Sequence, residues 1–477
     1  MLFNSLNFAF FLPIVFSIYW LVNKNLRIQN ILLLAASYFF YACWDWRFLF
    51  LLIFSTALDY YTGLKMNEAE TTRQRKFWFW LSVLINVGFL GIFKYYNFFS
   101  TSFAETLGHL GFKISPYTLK VILPIGISFY TFHGLSYVID IYKDRIKPEK
   151  SFIDYALFVS FFPLLVAGPI ERATHLLPQI KQKREFNFDK AVDGLRQILW
   201  GLFKKIVIAD QCSVFVNLVF GNSAHYSGID HAIAAVLFAF QIYCDFSGYS
   251  DIALGTAKLF GIELLKNFSY PYFSRDIAEF WRRWHISLST WFRDYLYIPL
   301  GGSRGTIWLK IRNVFIIFIV SGFWHGANWT FIAWGALNAL FILPSVLLQT
   351  NRNNLEIVAK GRILPTLKEL TAIIATFCLS TFAWIFFRCN SISAAFSYLS
   401  RMFSASLITF PTIYPTKLFI FILSFLLIEW SGREYPYPIQ RLGLNWPKTF
   451  RWAAYYALVI IILHQAGPEQ QFIYFQF

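Results

Sequence analysis

The chain has 477 residues, of which 57% are hydrophobic, 21% aromatic and only 14% charged, with a mean hydropathy of +0.49. These values exclude an ordinary soluble domain and point to a polytopic membrane protein. The formal net charge of +16 comes from basic residues gathered in short loops between apolar runs, the pattern of cytoplasmic loops, and so argues against a nucleic-acid partner.

The first apolar run, Leu6 to Val22, has no basic region before it and no small-residue cleavage site after it, so it is expected to stay in place as a membrane helix. Further runs follow at 30–44, 47–63, 77–93, 121–142, 152–170, 195–220, 231–262, 313–349, 368–387, 417–430 and 452–465. Together they predict an all-α polytopic bundle of about eleven spanning helices, with re-entrant and interfacial pieces among them. Lys24 and Arg27, then Lys65, Arg73, Arg75 and Lys76, then Lys143, Arg145, Lys147 and Lys150 mark loops expected on the cytoplasmic side, which puts the N-terminus outside. The loop with Lys181, Lys183, Arg184 and Lys190 is basic again after a single run. The 152–170 run, with Pro163 and Gly168-Pro169, is therefore expected to enter and leave on one face. No internal repeat stands out, and the chain reads as a single membrane-embedded domain, 1–477, with a loose linker expected near 350–366.

A polar island, "QIYCDFSGYSDIALG" from Gln241 to Gly255, sets Asp245 and Asp251 beside Tyr243, Ser247, Tyr249 and Ser250 in apolar surroundings. Either a hydrated passage or a fixed polar network accounts for carboxylates there. A glycosidase-like acid pair is disfavoured, because nothing places a sugar between them.

The segment "FWRRWHISLSTWFRDYLYIPLGGSR" from Phe280 to Arg304 is too charged to span lipid. It is expected at the cytoplasmic interface, where Trp and Tyr favour the headgroup level. An anchor helix explains its aromatics and arginines, but not His285, Ser287 and Ser289 on alternate positions. A basic aromatic surface also suits the ring and phosphates of a nucleotide-type donor.

From Val314 to Thr350 there is no Asp, Glu, Lys or Arg, yet the run contains His325. If the segment is helical from Val314, His325 lies roughly 16 Å deep, near the middle of a hydrocarbon core ~30 Å thick. An ionisable group at such depth calls for a function or a buried partner, and bonding to a neighbouring helix is the plainer account. Gly322, Gly326 and Gly335, with Asn328 and Asn338 able to orient an imidazole, favour a cavity around it.

Other chemistries find little support. Cys43, Cys212, Cys244, Cys378 and Cys389 show no paired spacing, the histidines do not form an HExxH pattern, and no Gly-x-Ser-x-Gly elbow or phosphate loop occurs. No metal and no bound cofactor are expected.

Several motifs in order, "LPIGISFYTFHGLSYVIDIY" (Leu123–Tyr142), "FFPLLVAGPIER" (Phe161–Arg172), the Gln241–Gly255 island, "FWRRWHISLSTWFRDYLYIPLGG", "SGFWHGANWTFIAWG" and the terminal "FIYFQF", resemble the membrane-bound O-acyltransferase (MBOAT) family over nearly the whole chain. The likeness is greatest to its branch that acetylates bacterial polysaccharides such as alginate. The resemblance implies a funnel-like helical bundle in the bacterial cytoplasmic membrane, with His325 of the WHG motif catalytic and His285 of the WHISLS motif also important. Trp324, Asn328, Arg283, Trp284, Ser287, Asp245, Tyr249 and Asp251 are then expected to bind substrates. The acyl donor would be acetyl-CoA or an acyl-carrier thioester from the cytoplasm, and the acceptor an extracytoplasmic transferase protein or glycan. D-alanyl transfer of the teichoic-acid type is the alternative within the family. A transporter or flippase of a glycan precursor is the alternative outside it. The residues suggest that neutral His325 takes a proton from an acceptor hydroxyl, with Asn328 or backbone N–H groups near Gly326 steadying the oxyanion. His285, nearer the cytoplasm, would position the donor.

Overall fold

A computed structural model of the chain describes every residue except Lys113, Val121, Ala167, Pro468, Glu469, Gln476 and Phe477, and describes the backbone but not the side chain of Phe475. Parts of three expectations, the 121–142 and 152–170 runs and the terminal motif, therefore lie outside the described residues. Those residues form helices and no β-strand. In chain order the α-helices are α1 (Leu6–Leu21), α2 (Leu26–Glu68), α3 (Thr72–His109), α4 (Ile127–Tyr142), α5 (Phe152–Ser160), α6 (Phe162–Leu165) and α7 (Ala173–Lys181). Next comes α8, which joins Phe188–Leu202 through a π segment, Phe203–Ala209, to Asp210–Gly221. The rest are α9 (Gly228–Leu259), α10 (Ile277–Arg283), α11 (Ile286–Phe292), α12 (Ile307–His325), α13 (Trp329–Leu347), α14 (Leu367–Arg388), α15 (Ile392–Met402), α16 (Thr416–Gly432) and α17 (Lys448–Gln465). Six of them, α2, α3, α9, α12, α13 and α14, are long and apolar enough to cross a membrane. Fewer helices reach that length than the roughly eleven expected to span, because two runs fuse into α2 and others form shorter or broken helices.

The chain divides into two compact units, the first made of Met1–Val192 and Thr256–Leu265, the second of Asp193–Gly255 and Lys266–Phe477. In the first unit α2 passes through both predicted runs, and only Asp45 leaves helical geometry, at φ −157°, ψ 109°. Buried polar groups tie the helices together: Asp59 accepts from Ser82 Oγ at 2.6 Å and Asn86 Nδ2 at 2.7 Å, and Asn30 Nδ2 donates to Asp154 Oδ1 at 2.8 Å. Such bonds join helices where lipid supplies no hydrophobic drive between them. The 152–170 run breaks at Phe161 (φ −53°, ψ 116°), ahead of Pro163, which cannot continue a hydrogen-bonded helix. The Phe162 N–H at the break donates to Ser37 Oγ at 3.0 Å.

In the second unit α8 and α9 meet through glycines seven residues apart on each helix. A Cβ on Gly201 would lie 2.6 Å from the Gly248 carbonyl oxygen, and one on Gly255 would lie 2.4 Å from that of Gly194. The α12–α13 hairpin closes the same way, since a Cβ on Gly322 would sit 2.2 Å from Phe331 O and one on Gly335 would sit 2.2 Å from Phe318 O. These two glycines therefore make a packed seam, not the cavity expected of them. We expect Gly335→Ala to lower the stability of the detergent-solubilised protein by about 1–3 kcal/mol, because the obstructing atom is backbone. Gly88→Ala, with nothing within 4 Å of the new methyl, should leave the thermal midpoint unchanged or raise it. Equal midpoints for Gly335→Ala and the parent would contradict the seam.

The loose linker expected at 350–366 is strapped down instead. Arg282 donates to the carbonyls of Asn351 and Asn354 at 2.7 and 2.8 Å, Arg275 to that of Glu356 at 2.6 Å, and Arg433 to those of Val358 and Ala359 at 3.0 and 2.7 Å. Polar composition there reads as solvation, but its carbonyls satisfy arginines on neighbouring elements.

Candidate active site

His285 lies between α10 and α11 with left-handed backbone, φ +43°, ψ 55°. For a residue with a Cβ this costs about 1–2 kcal/mol, and such strain persists only where the surroundings enforce it. Here Asn267 enforces it: its carbonyl accepts the Ile286 N–H at 2.8 Å, and its Oδ1 accepts from Ser287 Oγ at 2.6 Å. The imidazole is 1% exposed, packs edge-on against Phe246 at 4.6 Å, and has no hydrogen-bond partner on either nitrogen among the described residues. Burial alone pushes its pKa down to about 3, so the ring is neutral.

His325 is the last residue of α12, and Gly326 caps the helix. Only glycine fits at the cap, because a Cβ there would lie 2.1 Å from the Phe331 ring. The His325 ring, 5% exposed, is boxed by Trp324, Trp334 and Phe387 at centroid distances of 4.8, 5.2 and 5.3 Å. α12 begins at Ile307, seven residues before the uncharged run, and ends at His325, so the uncharged run forms two helices with the Trp324-His325-Gly326 step at their junction, as its length predicts.

The two histidines, expected at different depths, have ring centroids 6.5 Å apart and line one chamber. Trp281, Leu288, Phe292 and Phe318 wall it, Ser289 and Ser321 add the polar exceptions, and it holds about 580 Å³ of space. The 280–304 segment thus divides. Phe280, Trp284, Leu288 and Phe292 are at most 4% exposed and form core, whereas Arg293 and Arg304 are exposed, so only the second half has the expected surface character.

A tyrosine that sequence reasoning did not single out lies beside the two histidines. The ring of Tyr474, in the C-terminal tail, lies 5.5 Å from His325 and 6.5 Å from His285. The tail is anchored by Asp245, whose Oδ2 accepts the Ile473 N–H at 2.7 Å, while Phe472 packs on Tyr249 at 4.6 Å. Asp245 also pairs with Lys205 at 2.9 Å, and Lys205 with Asp210 at 2.8 Å. Next along the π segment, Lys204 pairs with Asp251 at 2.5 Å, and Gln197 donates to Asp251 at 2.8 Å. The π segment thus sends consecutive lysines to aspartates six residues apart on α9, a local irregularity of the kind often found at functional sites. Of the two readings of the island, the fixed network is the one these bonds favour; Asp251 and Lys204 also line a small polar pocket with Glu429 and Tyr243. Two adjacent lysines inside the apolar 195–220 run were the available signal for it.

Of the residues expected around the histidines, Trp324 lies beside them, its ring 6.0 Å from His285. Five others are engaged elsewhere. Arg283 bonds Glu279 at 2.8 Å and the Ser269 and Glu356 carbonyls, so it braces backbone and does not stand as a free donor-binding cation. Trp284 stacks in the core on Phe280 and Trp384, and Ser287 bonds Asn267. Asn328 caps α13 through Thr330 N–H at 3.0 Å and gives its amide to Asn390 O at 3.0 Å; Asn338 donates to Trp334 O. No group of three or more His, Cys, Asp or Glu able to hold a metal occurs among the described residues.

Residues 142–381 match the model of the membrane-bound O-acyltransferase family. The chain is 40% identical to a probable alginate O-acetylase of Pseudomonas aeruginosa, over 85% of this chain and 75% of that protein. It is 37% identical to a peptidoglycan O-acetyltransferase of Helicobacter pylori, over 84% and 80%. A teichoic acid D-alanyltransferase of Streptococcus thermophilus is 30% identical over 51% of this chain and 62% of that protein.

Proposed function

From a chain that belongs to the membrane-bound O-acyltransferase family, and is therefore a membrane acyltransferase, we propose a specific reaction. An acetyl group passes from a cytoplasmic thioester, acetyl-CoA, to a hydroxyl on an extracytoplasmic protein or glycan, in the service of O-acetylating a cell-surface polysaccharide. The observation that carries this reading is the apolar chamber lined by both His285 and His325, whose ring centroids lie 6.5 Å apart, with the Tyr474 ring 5.5 Å from that of His325. The relatives named for acetyl transfer align over most of the chain, and the D-alanyl transferase over about half, which favours acetyl over D-alanyl.

In this scheme neutral His325 accepts the proton of the acceptor hydroxyl as its oxygen attacks the thioester carbonyl. The tetrahedral intermediate collapses, the C–S bond breaks, and the imidazolium returns its proton to the departing thiolate. His285, with both nitrogens unpartnered, can donate one N–H to the thioester carbonyl and so hold the donor. Exclusion of water by the aromatic walls strengthens each of these contacts and suppresses hydrolysis. Asn328, whose amide N–H donates to Asn390 O, drops out of the oxyanion role, and Tyr474, whose ring lies 5.5 Å from His325, takes its place in this scheme. We expect Tyr474→Phe to keep the ring packing and lower kcat by ~10²–10³, the cost of one donor to a developing oxyanion. An unchanged kcat would reduce Tyr474 to a packing residue.

The test of the reading is covalent transfer. Purified protein given labelled acetyl-CoA should pass label to a hydroxyl-bearing acceptor, whereas a transporter or flippase would move a glycan without labelling it. Label arriving only from a carrier-protein D-alanyl thioester would favour the teichoic-acid type of reaction instead.

A further inference from the structure

The first unit contains a basic recess that the acyl-transfer scheme does not use. It is walled by the end of α1, the 179–190 loop and residues 258–261, and holds about 880 Å³ of space. Its walls are fixed: Trp20 Nε1 donates to Leu259 O at 3.1 Å, Tyr19 Oη to Phe260 O at 2.9 Å, and Gln179 exchanges bonds of 2.9 and 2.8 Å with the backbone of Glu263. Lys183, Arg184, Lys190 and Lys258 line it against one acid, Glu185. Glu263 pairs with Lys190 at 2.7 Å and also faces Lys258, and the Asp154 carboxylate lies within electrostatic reach of Arg184.

Arg184 is the unusual member. It is 5% exposed, lies over the Tyr19 ring at 5.6 Å, and gives Nη2 to Asn30 Oδ1. Its Nε and Nη1 are buried with no hydrogen-bond partner among the described residues. Two unsatisfied donors on a buried guanidinium are costly unless an anion meets them, and a guanidinium fork matches two oxygens of a phosphate. Beside it, Trp20 and Phe186 pack at 5.2 Å, Phe186 and Phe188 stand 49% and 70% exposed, and an apolar row of α1, Phe10, Ile14, Ile18 and Leu21, faces outward. A cation cluster with an aromatic rim beside an outward apolar helix face is the surrounding expected of a headgroup at a membrane interface.

We propose that this recess binds a phosphate group through Arg184, Lys183 and Lys258. The aromatic rim favours the phosphate of an anionic phospholipid over that of a soluble phosphate ester. The test uses the full chain in nanodiscs of phosphatidylcholine alone or with phosphatidylglycerol, with lipid carried through detergent extraction read by native mass spectrometry. In parallel, inorganic phosphate and adenosine 3′,5′-bisphosphate are titrated against the detergent-solubilised protein. Phosphatidylglycerol should be retained over phosphatidylcholine, and Arg184→Gln should weaken retention about tenfold, as expected for losing a charge-assisted contact. Lys183→Gln combined with Lys258→Gln, which leaves the Arg184–Asn30 bond intact, should weaken it in the same direction. Saturable binding of a soluble phosphate that Arg184→Gln abolishes would also support the site and would assign the soluble source. The proposal is overturned if the folded parent retains both lipids equally and binds neither soluble phosphate, or if both variants bind as the parent does.

Discussion

His325→Ala is expected to lower acetyl transfer by ~10²–10⁴-fold, the effect of removing a positioned general base, while the protein still inserts and extracts as the parent does. The ring sits at the end of α12 against Trp324, Trp334 and Phe387, so truncation leaves a hole in an aromatic box. Stability should therefore fall only by the few kcal/mol typical of emptying a large buried side chain. His325→Gln, which fills most of the hole without a base of suitable strength, separates the two effects: stability should return and transfer should not. Transfer near the parent rate in either variant, at matched protein in the membrane, removes His325 from the mechanism.

Asp245→Ala is expected to be nearly as damaging by a different route. Asp245 both pairs with buried Lys205 and holds the Ile473 N–H, so its loss strands a cation and frees the tail that brings Tyr474 to His325. Breaking a buried pair typically costs 3–5 kcal/mol; the surviving Lys205–Asp210 contact places the expected loss at about 3 kcal/mol. The triple variant Asp245→Ala, Lys205→Met, Asp210→Asn should recover much of that stability, because no unpaired charge remains in the Asp245–Lys205–Asp210 set, yet transfer should stay low because the tail is still unanchored. A triple variant as active as the parent would show that the network serves folding alone.

The sequence made the chemistry legible and left much of the geometry hidden. His325 stood out because hydropathy isolates a titratable group in an uncharged run, and that signal does not depend on where the helix begins. Its position along the helix did depend on it: α12 starts at Ile307, carries Lys310 and Arg312 in its first turns, and ends at His325. His285 was assigned to a surface because charge was averaged over a segment whose first half is core and whose second half is exposed. Arg283 looked like a ligand for a substrate, since a sequence cannot show that a backbone carbonyl some seventy residues away already occupies it. Tyr474 was unreadable for the same reason. An apolar tail has no periodicity or charge of its own, and its partner, Asp245, lies 228 residues earlier. What composition did reveal was the all-helical membrane class, because burying backbone polar groups in lipid leaves helices as the economical answer for a chain this apolar.

In the proposed reaction one chamber joins a donor from the cytoplasm to an acceptor from the other side. The decisive experiment uses sealed vesicles with the protein in known orientation, with labelled acetyl-CoA and a hydroxyl-bearing acceptor supplied on chosen faces. Label should reach the acceptor only when donor is on the cytoplasmic face and acceptor on the opposite one, and His325→Ala should abolish the signal. Equal labelling with both substrates on a single face of an intact vesicle would contradict the proposed reaction.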